Sequence, residues 1–106
     1  MSACLCYVTT ASHEQALLIA RTLVEERLAA AANVLGGATS FYWWQGTLEQ
    51  ASETLVVLKT RKSLVPALTA RVRQLHSYEC PCVIGLPVDG GNPDYLRWLE
   101  RETTPS

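Results

Sequence analysis

Apolar positions along this chain of 106 residues come in two rhythms. Short stretches are apolar at every position, and longer ones repeat at helical spacing. Cys4 to Thr9 is small and apolar on both faces and predicts a first strand. Ala16, Ile19, Ala20, Leu23 and Ala30 fall within one arc about 100° wide, with Glu14, Arg21 and Glu25 opposite, which predicts an amphipathic helix. Ser12 with Gln15 three residues on has the form of a capping box. That helix is expected to end near Ala32-Asn33, with the stem of Arg27 packed inside the arc and Gly36-Gly37 breaking the chain. Ala38 to Trp44 predicts the second strand, with Phe41 and Trp43 pointing one way and Tyr42 and Trp44 the other. A turn over Gln45 to Gln50 leads into a third strand, Thr54 to Lys59, again apolar on both faces, and the two strands form a hairpin. Ser63 caps a second helix whose stripe is Leu64, Val65, Leu68, Val72 and Leu75, with His76 at its margin. Val83 to Val88 is the last strand. Asn92-Pro93 then opens a terminal helix with Tyr95, Trp98 and Leu99 on its apolar face.

The order β-α-β-β-α-β plus a terminal helix predicts an α+β, ferredoxin-like two-layer sandwich, one domain over residues 1–106. Its helices cover one face of the sheet. A sheet with one wet face alternates apolar with polar positions, and these strands do not. The second face is therefore expected to lie against another subunit, with Tyr42, Trp43, Trp44 and Trp98 among the interface residues.

Composition narrows the function classes. Net charge is −1, charged residues are 18 percent and no basic run occurs, which argues against a nucleic-acid partner. No apolar segment approaches the roughly 18 residues of a membrane span. Met1-Ser2-Ala3-Cys4 has none of the marks of a secretion signal, so a cytoplasmic protein with reduced thiols is expected. Cys4, Cys6, Cys80 and Cys82 read as small buried hydrophobes or as soft ligands for copper. In antiparallel neighbours the two cysteine pairs lie at opposite ends, so one four-cysteine site within a subunit is not expected. His76, at a helix C-terminus, reads as a capping or interface histidine, or as a metal ligand. Lys59 needs a partner on its apolar strand, either in an interface ion pair or hydrogen bond, or by forming an anion site in an intersubunit cleft. Tyr42, Trp44, Tyr95 and Trp98 read as core or interface more than as a ligand cage. Glu49 and Glu53, on or beside the hairpin, read as surface charge more than as paired carboxylates, and His13 as exposed. No nucleophile has a convincing pair of partners and no phosphate loop occurs, so no enzymatic activity is expected.

Taken together, Leu23-Val24-Glu25-Glu26-Arg27-Leu28-Ala29-Ala30, then Ser40, Tyr42, Trp44-Gln45-Gly46 and Leu58-Lys59-Thr60, then His76, Tyr78, Pro81, Leu86-Pro87-Val88, Tyr95-Leu96 and Trp98 form an ordered set across nearly the whole chain. The chain thereby resembles the divalent-cation-tolerance proteins, often called CutA. The resemblance implies a homotrimer whose sheets face one another, similar in architecture to the trimeric PII signalling proteins. It implies a role in the response to divalent cations, copper above all, with copper or another divalent cation as the ligand. A PII-like sensor holding a small anion in clefts lined by Trp44, Lys59, His76 and Tyr95, and a structural scaffold for a protein partner, are the alternatives. Family members often carry a cysteine where this chain has Ala31, some carry one at Val8, and some carry a histidine pair where this chain reads Leu75-His76-Ser77-Tyr78. Candidate metal ligands here are His76, Cys80 and Cys82.

Overall fold

The computed structural model describes residues 3–103; Met1 and Ser2, part of the start read above for a secretion signal, lie outside them. The strands are β1 (Ala3–Thr10), β2 (Ala31–Trp44), β3 (Thr47–Arg61) and β4 (Val83–Pro87), and the helices α1 (His13–Glu25), α2 (Val65–Leu75) and α3 (Pro93–Thr103). All four strands pair antiparallel in the order β2-β3-β1-β4, the ferredoxin-like arrangement.

One face of the sheet is the core. Cys6 and Val8 from β1 and Val56 and Leu58 from β3 meet Ala16, Ile19 and Leu23 of α1 and Leu68 and Val72 of α2, all with no exposed surface. Ser12 starts α1 as expected, its Oγ accepting from the Gln15 N–H at 3.1 Å. The reciprocal half of the capping box is absent, because the Gln15 side chain accepts from Ser77 Oγ instead.

The other face is open. Leu5 and Tyr7 of β1 alternate with the buried set and remain partly exposed. The register places Tyr7 between Val57 and Ile84, and Leu5 beside Leu86. Ile84 is 52% exposed and Leu86 49%. α3 closes only one end of this face, where Leu99 packs on Ala3 and Ala30 beside Leu96 and Trp98. Arg27 and Arg61 hold the C-terminus of α3 by donating to the Glu102 and Thr103 carbonyls at 3.2 and 3.0 Å, where cations also favour the helix dipole.

Several expected boundaries move. α1 stops at Glu25, not at Ala32-Asn33. Arg27 turns through the left-handed region at φ 60°, outside the helix, and Leu28 and Ala29 close back on the Leu23 carbonyl. Ala29 to Ala32 have high helix propensity, but the edge of β3 outcompetes it, with Ala30 donating to Lys59 and Ala31 and Ala32 opposite Lys59 and Leu58. Gly36-Gly37 is a bulge inside one long β2 and not a break. The turn shrinks to Gln45-Gly46, with φ of 49° and 80°. Two left-handed residues match the twist of a two-residue hairpin. A 3₁₀ turn over Lys62–Leu64 leads into α2, and Ser63 makes no cap.

These changes build an arm. β1 pairs with β3 only as far as Thr54, so residues 38–53 project as a two-stranded ribbon. The radius of gyration is 14.2 Å, against about 13 Å for a compact chain of this length. Phe41 and Trp43 on one side of the arm are 66% and 73% exposed, and Tyr42 and Trp44 on the other are 40% and 39%. A lone two-stranded ribbon is marginal in water.

Candidate functional site: a groove between the arm and the loop before β4

A groove of about 630 Å³ separates the arm from the 77–82 loop. Ser40, Tyr42 and Trp44 alternate along β2 and line one wall, Tyr78 to Cys82 line the other, and Thr9 and Glu53 lie between. Glu53 keeps the phase of Leu55 and Val57, so it faces the open side of the sheet.

Glu53 is only 7% exposed, not the surface charge expected. Its Oε2 accepts from the Tyr78 hydroxyl at 2.9 Å. No cation of the described residues lies within ion-pair distance of it. Burial, then the Glu53 carboxylate, pushes the Tyr78 hydroxyl up to about 12.

His76 pins this loop to the sheet. It is 8% exposed and ends α2. Its Nδ1 accepts from the Tyr78 N–H at 3.0 Å, so Nε2 carries the proton and donates to the Thr9 carbonyl at 2.7 Å. The His76 and Tyr78 rings are 4.6 Å apart, centroid to centroid. A metal at His76 must displace one of the two hydrogen bonds.

The four cysteines divide by position. Cys4 and Cys6 are buried, and burial pushes Cys6 up to about 11, with Cys4 adding to the effect. Cys80 is exposed and Cys82 half-buried, both on the groove. Cys4 pairs with Pro87 whereas Val8 pairs with Val83, so the two cysteine pairs lie at opposite ends of the β1–β4 ladder, as expected. Burial raises the Cys82 thiol above the ordinary range and the Glu53 charge adds to that, while a hydrogen bond with Thr9 opposes it. Among the described residues no three His, Cys, Asp or Glu side chains are placed to hold a metal ion together.

The expected ligand cleft is not assembled within one subunit. Trp44 lines the groove towards the tip of the arm, whereas His76 bonds Thr9, whose partner Leu55 lies eight residues from Thr47, the partner of Trp44, roughly 26 Å at strand rise. Lys59 and Tyr95 sit at the α3 end, with Lys59 Nζ 5.6 Å from the Tyr95 ring centre and Tyr95 5.3 Å from Trp98. Trp44 pairs with Thr47, twelve residues before Lys59 on β3, roughly 40 Å at strand rise. Only neighbouring copies can bring these residues together. Of the expected interface residues Trp43 is the most exposed, and Trp98 is partly buried beneath its own α3. Glu53 and Tyr78 are the groove residues that sequence patterning passed over.

Known proteins share this fold and sequence. The chain is 50% identical over 97 residues to mouse Protein CutA, covering 92% of this chain and 55% of that protein, so it spans about half the length of that relative. It is 45% identical over 96 residues to the Divalent-cation tolerance protein CutA of Thermus thermophilus, covering 91% of this chain and 93% of that one. The crystal structure of CutA1 from Oryza sativa superposes with a TM-score of 0.95 at 40% identity, over 100% of this chain and 97% of that one. The profile of the CutA1 divalent ion tolerance protein family matches residues 4–102, and the chain belongs to that family.

Proposed function

We propose that the chain acts as a non-enzymatic homotrimer of the divalent-cation-tolerance type, in the cytoplasm, and binds copper weakly, as Cu(I), through Cys80 and Cys82. The observation that carries the copper reading is the pair of reduced thiols, two residues apart, on one groove. Soft thiolates select Cu(I), and Cu(I) accepts two ligands where a closed zinc or Cu(II) site asks for more. Binding must release thiol protons, and the raised Cys82 thiol makes that release costly near neutral pH. Affinity is therefore modest and rises with pH.

Trimer formation is supported by the uncovered apolar face and by the arm, which needs a second surface to lie on. The count of three follows the family resemblance. The test is an anaerobic titration of Cu(I) against a chromogenic chelator. About one ion per subunit is expected, lost in the Cys80→Ser/Cys82→Ser double variant and retained in His76→Ala. About one third of an ion per subunit, or loss in His76→Ala alone, would overturn the thiol assignment.

A second reading rests on Lys59. Its ammonium faces the Tyr95 ring and has no carboxylate within ion-pair distance among the described residues. An anionic metabolite in an intersubunit cleft of Lys59, Tyr95, Trp44 and His76 would supply that charge. A panel of anions in a melting assay tests it, because any ligand of the native state raises the Tm. No anion with a Lys59-dependent shift removes this reading.

A further inference from the structure

The groove has a charge and a lining that neither copper nor an anion explains. Within one subunit, and among the described residues, it contains two carboxylates, Glu53 and Glu79, and no Lys, Arg or His. Glu53 is nine-tenths buried yet receives one hydrogen bond, from Tyr78, on Oε2. Oε1 has no partner among the described residues, and it is not sealed from solvent, so it opens on the groove. A buried carboxylate without a cation is costly. The register sets Tyr42 opposite Glu49 and Trp44 opposite Thr47, on the same face of the arm as Glu53 but four and six residues along β3 from it, roughly 13 and 20 Å at strand rise, and Tyr78 lines the opposite wall. Aromatic faces attract cations, most strongly where water is excluded.

We infer that the groove binds an organic ammonium cation, with Glu53 as its counter-ion and the rings of Tyr42 and Tyr78 as its walls. An inorganic divalent ion fits less well, since the rings offer no lone pairs and no three donor side chains converge among the described residues. A small anion meets two like charges. The volume, about 630 Å³, lies within the range of small-molecule sites. Copper at Cys80 and Cys82 occupies the loop side of the same groove, and the two sites rest on different residues.

The experiment is a nuclear magnetic resonance titration of the assembled protein with tetramethylammonium chloride, at constant ionic strength, against tert-butanol as a neutral molecule of similar size. Tetramethylammonium is expected to shift the Tyr42 and Tyr78 signals at millimolar concentrations, with tert-butanol at least about tenfold weaker. Glu53→Gln keeps an acceptor for the Tyr78 hydroxyl and should fold normally, with binding reduced about tenfold or more. Tyr42→Leu should weaken binding severalfold, and Cys80→Ser/Cys82→Ser should leave it unchanged. That double variant separates this site from the copper site, since it removes copper binding alone. Equal binding of tert-butanol, or unchanged binding in Glu53→Gln, overturns the inference. So does the absence of any shift, the result expected if a neighbouring copy's Lys or Arg already occupies Glu53.

Discussion

Removing Trp43 should dissolve the assembly and leave the subunit folded. Trp43 is 73% exposed in the subunit, so its ring contributes little to the subunit's own core. Covering that exposed fraction and then truncating to Ala removes roughly 150 Å² of buried apolar surface. At ~25 cal/mol per Å², the loss is about 4 kcal/mol per copy and about 11 kcal/mol per trimer. The midpoint concentration of a trimer varies as the inverse square root of its association constant. The midpoint should therefore rise by about four orders of magnitude, and by about two if only half the ring is covered. Sedimentation velocity over a concentration series reads this directly, with far-ultraviolet circular dichroism as the check on the subunit. Trp43→Ala is expected to sediment as a folded monomer, and the parent as the proposed trimer. A Trp43→Ala protein with the parent's mass at every concentration would refute the argument that the arm is an assembly element.

Three further outcomes follow from local geometry. Gly46→Ala places a Cβ at φ 80° in the hairpin turn and should cost about 1 kcal/mol in urea unfolding, whereas Gln45→Asn suits its left-handed position and should be neutral or slightly stabilising. In an alkaline absorbance titration Tyr78 should ionise near 12, above the ordinary value of 10. Because the folded-state value is the raised one, this group's stabilising contribution is complete below about 10 and is lost as pH rises towards 12; Glu53→Gln should lower the transition only partway, since burial is its larger cause. A thiol-alkylating reagent followed by peptide mass spectrometry should label exposed Cys80 first, then Cys82, and Cys6 only on unfolding, since Cys6 is sealed and its thiol is raised to about 11.

The core face was readable because its residues obey simple periods. Ile19, Leu23, Leu68 and Val72 recur at helical spacing, and Val56 and Leu58 alternate, so helix face and strand phase follow directly. The open face was readable for the same reason, from Leu55 and Val57. The end of α1 was not. Four alanines read as helix, and only the free edge of β3, distant in sequence, draws them into β2. The groove was legible in part. Trp44, Cys80 and Cys82 line it as sequence reasoning placed them in candidate sites, but Glu53 did not stand out as a buried acid. Its signal was its phase, two residues before Leu55, which placed it on the apolar side; its partner Tyr78, 25 residues away, follows from tertiary structure. Lys59 and Trp44 were grouped by chemistry alone, and the long β3 holds them apart.

The most direct test of the proposed metal site is an X-ray absorption spectrum at the copper edge of the reduced protein loaded with Cu(I). The account predicts a first shell of about two sulfur atoms and no nitrogen, the donor set of Cys80 and Cys82. A shell containing imidazole nitrogen would place the metal at a histidine and contradict the thiol assignment, and a spectrum identical to that of copper in buffer would mean that no site exists.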